Sequence, residues 1–420
     1  MSLDSQVPSL LHPFARAAAP RDFFVDIVAG SGAEVTDAKG NVYVDALGSL
    51  WYCNVGHGRP EIAEAVAAQM RSLEVFHTFD RFTNPRADEL ATRLVGLAPM
   101  PDSRVFLTSG GSEAVETAFK LARIAQVQAG HPERVVVVSR TPSYHGVTYG
   151  AMSLTGLPGN RHGFGPLVPD VVQVPYDDSA ALDQLVEAAE GRVAAVIAEP
   201  VVGAGGVYPP PPGYLAALRE WCDRMGAYLI LDEVICGFGR LGAWWGADHF
   251  GVRPDMVTFA KGVTSGYLPL GGVVVGPAVR APLESDAGFV FKHGYTYSGH
   301  PLTAAAALAN LDIIEREGLL SKAEGIGKRL GQGLADLVDG EHVTAVRGTM
   351  GIWAIELAPG LDAPVVRDAL LDFGVIARPI GNTVLAYCPP LIITDDQMDH
   401  CVDGTRSAIK SARHAGARAR

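Results

Sequence analysis

Six short apolar runs, at residues 104–107, 134–139, 194–198, 227–231, 256–259 and 272–275, constrain this chain more than any other feature. They are rich in Val, Ile and Leu and do not alternate strictly with polar residues, which is the pattern of strands buried on both faces. Helical stretches such as 112–128 and 212–225 lie between them. Strand and helix in alternation predict a mostly parallel sheet covered on both sides, an α/β fold. The ends read differently. Residues 21–55 hold two hairpin-like pieces, around Gly30–Gly32 and around Lys39–Asn41. A long helix is expected at 302–317, closed by Gly318, a good residue for the left-handed C-terminal cap. A helix at 61–73, with Ile62, Val66, Met70 and Leu73 on one face, would join the ends to the middle. These features predict a large α/β domain over residues 61–300. A smaller α+β domain would be assembled from residues 1–60 and 301–420.

Bulk properties narrow the function classes. A net charge of -12 argues against general nucleic-acid binding, which needs Lys and Arg to displace counterions. No basic run suits an anionic lipid surface, and no stretch of 18 apolar residues could span a bilayer. The Arg413 to Arg420 stretch reads as a short, frayed, mildly basic end. Five cysteines, an odd number with no C-x-x-C spacing, fit a reducing compartment and neither a disulfide framework nor a zinc ribbon. With no signal-peptide pattern at the start, a cytoplasmic location is expected.

Two residues carry the chemistry. Asp232 follows the run 227–231, and Lys261 follows the run 256–259 just before the small-residue turn Gly262-Val-Thr-Ser-Gly266. Taken singly, the Asp could cap a turn and the Lys could be a solvated surface residue. They stand about one strand–helix–strand unit apart, so both could lie at one edge of one sheet, where ligands of open α/β sheets bind. A Lys and an Asp there suit pyridoxal 5'-phosphate (PLP). The amine forms an imine with the aldehyde, and the carboxylate keeps the pyridine nitrogen protonated. Thr108-Ser-Gly-Gly-Ser112, between a strand and a helix, could bind the phosphate through backbone N–H groups and the helix N-terminus. Tyr144-His-Gly146 could offer an aromatic to stack on the ring; alone it would read as a core Tyr and a hydrogen-bonded His.

Together these pieces resemble the class III aminotransferases of PLP fold type I, over about residues 13–399. The blocks that carry the resemblance are Ser109-Gly-Gly-Ser-Glu-Ala114, Tyr144-His-Gly146, Leu231-Asp-Glu-Val-Ile-Cys-Gly-Phe-Gly-Arg240, Phe259-Ala-Lys-Gly262 and His293-Gly-Tyr-Thr-Tyr-Ser-Gly-His-Pro301. The resemblance implies that Lys261 is the Schiff-base residue and proton shuttle, and that Asp232 pairs with the pyridine nitrogen. It implies that Val234 and Tyr144 flank the ring and that Gly111 and Ser112 hold the phosphate. His145 and Glu199 would support the cofactor. Thr296 would complete the phosphate site of a neighbouring subunit in a homodimer, with pairing into tetramers left open. No metal is expected, since no H-E-x-x-H pattern occurs.

Leu50-Trp-Tyr-Cys-Asn-Val-Gly56 resembles the ω-transaminase branch, which takes amines or ω-amino acids and usually aminates pyruvate. Trp51 and Tyr52 would then line the substrate pocket, or else serve in ordinary packing. Arg378, in Ala377-Arg-Pro-Ile-Gly381, matches an arginine that binds a substrate carboxylate; a structural role is the alternative. Relatives that cycle on glutamate commonly place an acid after the Glu-Pro segment, opposite that arginine. Here Glu199-Pro-Val-Val-Gly-Ala-Gly-Gly206 offers Ala204. That favours pyruvate over 2-oxoglutarate. Diaminopelargonic acid aminotransferase shares the Gly-Ala-Gly-Gly segment and is the nearest alternative, followed by a PLP mutase and a non-catalytic PLP-binding protein.

Overall fold

The computed structural model describes residues 7–418, apart from 179 and 190. Its large sheet has seven strands in the order Arg104–Thr108, Gly271–Val275, Met256–Phe259, Tyr228–Asp232, Val193–Ala198, Val136–Thr141 and Val171–Pro175. Gly271–Val275 runs antiparallel to both neighbours, and the other pairings are parallel. The runs lack alternation because both faces are covered. Ala195, Ile197, Ile230, Met256 and Val273 pack with Ala114, Ala118 and Ala122 of helix Gly111–Gln128. Their neighbours Val196, Leu229, Leu231 and Val257 share a second core with Leu215, Leu218 and Trp221 of helix Tyr214–Met225.

Two expectations need correction, and one strand had no counterpart in the sequence reading. The edge strand Val171–Pro175 was not anticipated; Pro175, which cannot donate to a ladder, is tolerated at an edge. On helix Pro60–Ser72, Met70 is 51% exposed while Gln69 is buried. The side chain of Gln69 donates to the Leu73 carbonyl (2.8 Å) and accepts from Arg86 (3.2 Å), so hydrogen bonding rather than apolarity selects the buried residue. The last helix, Asp395–Arg418, continues past the point where fraying was expected.

The two ends of the chain meet in one four-stranded sheet. Ile27–Ser31, Glu34–Asp37 and Val42–Asp45 form antiparallel pairs, and Val375–Ile376 joins Val42–Asp45 in parallel. Asp37 accepts from the backbone N–H of Lys39 and Asn41, closing the second turn, where Gly40 takes φ 87°. A further sheet orders Val343–Thr349, Ile352–Leu357, Val384–Tyr387 and Arg378–Ile380. Helix Pro301–Arg316 ends as expected, with Gly318 at φ 60°. No described helix is long and apolar enough to cross a membrane.

Candidate active site

The parallel strands deliver their C-terminal ends to one edge. Asp232 is the last residue of its strand and pairs across to Thr258. Lys261 lies three residues beyond Thr258, in a short 3-10 turn entered with a left-handed backbone (φ 48°). Asn310 of helix Pro301–Arg316 braces that turn, donating to the Gly262 and Val263 carbonyls at 2.9 and 3.0 Å. Lys261 is half-buried, and desolvation pulls its ammonium below the ordinary lysine range. The Asp232 carboxylate opposes this, and the Arg378 guanidinium adds to it.

Asp232 and His145 are both buried, and His145 Nδ1 donates to Asp232 Oδ2 at 2.7 Å. The other oxygen of Asp232 accepts from Val234 N (3.2 Å). His145 Nε2 is buried and has no hydrogen-bond partner among the described residues. Glu199, just past strand Val193–Ala198, accepts from the backbone N–H of Tyr144 (3.0 Å) and Gly203 (2.8 Å). Burial raises its carboxyl above the ordinary range, and burial raises the Tyr144 phenol likewise.

Next to Asp232, Glu233 is fully buried and accepts from Gly246 N (2.7 Å) and Ala247 N (2.6 Å). Burial pushes its pKa up to about 8 from an ordinary 4.5. Over that range the folded protein holds a proton that the unfolded chain has released, so this group makes stability fall as pH rises. Glu233→Gln should flatten the decline. Between pH 6 and pH 8 the parent should lose roughly 2 kcal/mol more than the variant in urea melts.

Lys261 and Asp232, though not Glu233, open onto a cavity of about 840 Å³. Gly111, Ser112, Tyr144, His145, Glu199, Asp232, Val234 and Lys261 all line it, as do Trp51, Ala204 and Arg378. The cap position of helix Gly111–Gln128 is Gly110, which has no side chain to bond the leading N–H groups, so these are available to an anion. Arg378 is half-buried on its strand, with no carboxylate paired to it among the described residues; burial lowers its pKa. One residue expected in the substrate wall, Tyr52, lies elsewhere. The Tyr52 ring packs so closely on Gly266 that a Cβ there would stand 2.2 Å from it, and its hydroxyl accepts from Ser49 Oγ (2.6 Å). Thr296 is exposed on a loop outside this cavity. The wall also contains Phe14, Phe23, Phe24, Ile235 and Ile376, which sequence reasoning missed. The one available signal was a group of aromatics in an N-terminal segment with no helical or strand period.

The class III aminotransferase family model matches residues 15–409. The chain belongs to that family. It is 36% identical to a β-alanine–pyruvate aminotransferase of Pseudomonas aeruginosa, over 93% of this chain and 94% of that one. Its fold is similar to a thermostable ω-transaminase mutant from Pseudomonas jessenii (TM-score 0.94, 32% identity, 99% of each chain). It is also similar to a PLP-bound amine transaminase from an uncultivated Pseudomonas species (TM-score 0.93, 37% identity, 97% of this chain and 100% of that one). This aminotransferase is thus a PLP-dependent enzyme of the ω-transaminase branch.

The residues present fit the cofactor. The cavity offers an amine, a buried carboxylate and an uncapped helix start on one sheet edge. At the helix start, a Cβ on Gly111 would already press on Val234 at 3.0 Å, so the glycine keeps the approach to the backbone open.

Proposed function

We propose that this aminotransferase moves an amino group from an amine or ω-amino acid to pyruvate, in two half-reactions that share one cavity by a ping-pong scheme. The observation that carries the acceptor is Arg378, which lines the cavity without an acidic partner among the described residues, with Ala204 in the same wall. A guanidinium left unpaired binds a small keto-acid carboxylate through two parallel hydrogen bonds. The β-alanine–pyruvate relative supports the same acceptor.

Bound PLP supplies an aldehyde that carries nitrogen and a ring that withdraws electrons. The chain's own groups do the rest. Lys261 Nζ would hold the cofactor; once free, with its pKa depressed, it would take a proton from the substrate carbon beside the nitrogen and deliver it to the cofactor carbon on the nitrogen's other side. Asp232, steadied by His145, would keep a proton on the ring nitrogen. Gly111 and Ser112 would bind the phosphate, and Tyr144 and Val234 would flank the ring. Glu199 holds the Tyr144 backbone in place. Thr296 would reach the phosphate of a second subunit in a homodimer. Trp51 and Ala204 bound the substrate space, while Tyr52 acts behind it by holding Ser49. The five buried, unpaired cysteines support work in a reducing cytoplasm.

Single-turnover assays with pyruvate and 2-oxoglutarate test this reading. Pyruvate should show a kcat/KM at least roughly tenfold higher. Ala204→Asp, which gives Arg378 a carboxylate, should cut pyruvate use by roughly the same factor. A preference for 2-oxoglutarate in the parent enzyme would sink the assignment, and S-adenosylmethionine acting as the best donor would point to diaminopelargonic acid synthesis.

A further inference from the structure

We propose that Asp45 and His57 form a positioning pair that sets where Trp51 stands, and thereby the size of amine the site accepts. This rests on the reading of Trp51 as a wall of the substrate space.

Residues 46–57 form a closed loop on the small sheet. The loop leaves the sheet after Asp45, the last residue of strand Val42–Asp45, and returns at His57. There the backbones of His57 and Gly32 exchange hydrogen bonds of 2.8 and 3.0 Å. The mouth of the loop is stapled by His57 Nε2–H donating to Asp45 Oδ2 at 2.8 Å. The same buried carboxylate accepts from Ser49 N (2.6 Å) and Leu47 N (3.3 Å), inside the loop.

Something must hold this loop, because its backbone is unfavourable. Ser49 (φ 58°) and Trp51 (φ 67°) both occupy the left-handed region, which a Cβ disfavours. Trp51 is nonetheless buried (2% exposed) and forms cavity wall together with Leu47 and Leu50. On its other side the imidazole is pinned by Gly30: a Cβ there would stand 2.9 Å from His57 Cβ and Cγ. Asp45 therefore spans strand and loop, and His57 locks it. Without the lock the loop relaxes, Trp51 shifts, and the wall yields to larger amines.

The test is the ratio of kcat/KM for a bulky aromatic amine to that for a small aliphatic one, measured on the holoenzyme alongside PLP affinity. His57→Ala should raise the ratio at least tenfold and leave PLP affinity within twofold. His57→Gln, whose side-chain N–H can still reach Asp45, should restore most of the parental ratio. Gly30→Ala should displace the ring and mimic His57→Ala, and it decides the matter should His57→Ala fail to fold. In a Trp51→Ala background the effect of His57→Ala should vanish. Parental ratios in His57→Ala or Gly30→Ala, with Trp51→Ala still shifting the ratio, would overturn the positioning role alone. An unchanged ratio in Trp51→Ala would remove the wall reading and this inference with it.

Discussion

Lys261→Ala should abolish turnover, by roughly 10⁴-fold or more, while the protein still folds and still binds the cofactor phosphate. The expectation follows from the separation of parts. The phosphate-binding candidates Gly111 and Ser112 sit on a different element from Lys261, and the turn at 261–263 is braced by Asn310 through backbone carbonyls that the substitution leaves in place. Borohydride treatment followed by peptide mass spectrometry separates holding from mere proximity. In the parent, the peptide containing Lys261 should gain the mass of the reduced cofactor; in Lys261→Ala no peptide should. A labelled peptide elsewhere in the parent, or turnover within tenfold of the parent in the variant, would refute the role of Lys261.

Asp232→Asn should lower kcat by roughly 10²–10³-fold, with cofactor affinity changed only a few-fold. The substitution preserves shape and can still accept from Val234 N, but it removes the negative charge that, in the proposed mechanism, would retain a proton on the ring nitrogen. His145 should follow more weakly, because it acts through Asp232: its Nδ1 hydrogen bond steadies the carboxylate. The two substitutions combined should cost little more than Asp232→Asn alone, since residues acting as a unit are not additive. Turnover by Asp232→Asn within threefold of the parent would exclude a charge role.

The strands were legible because burial on both faces leaves a local mark, a run of Val, Ile and Leu, wherever helices cover both sides. The turns carrying Lys261 and Gly111 were legible because small residues after such runs mark strand ends. Direction was not. Strand 271–275 runs antiparallel, and nothing in its own five residues distinguishes the two senses. Nor was the helix face at Gln69 and Met70, where two hydrogen bonds outweighed an apolar period.

The loop at 46–57 shows the limit most sharply. Trp51 and Tyr52 are adjacent in sequence and alike in chemistry, yet one enters the cavity wall and the other packs on Gly266. In a helix or strand a fixed period would assign their faces. Here left-handed angles at Ser49 and Trp51, held by Asp45 and His57, do so instead. The aromatic wall from Phe14, Phe23 and Phe24 was hidden for the same reason. The sequence by itself determined the family, the cofactor and the sheet that presents Lys261 and Asp232, because those depend on short segments with their own periodicity and spacing. Only the tertiary structure decided which loop side chains face the cavity, because their directions are set by contacts with residues distant along the chain.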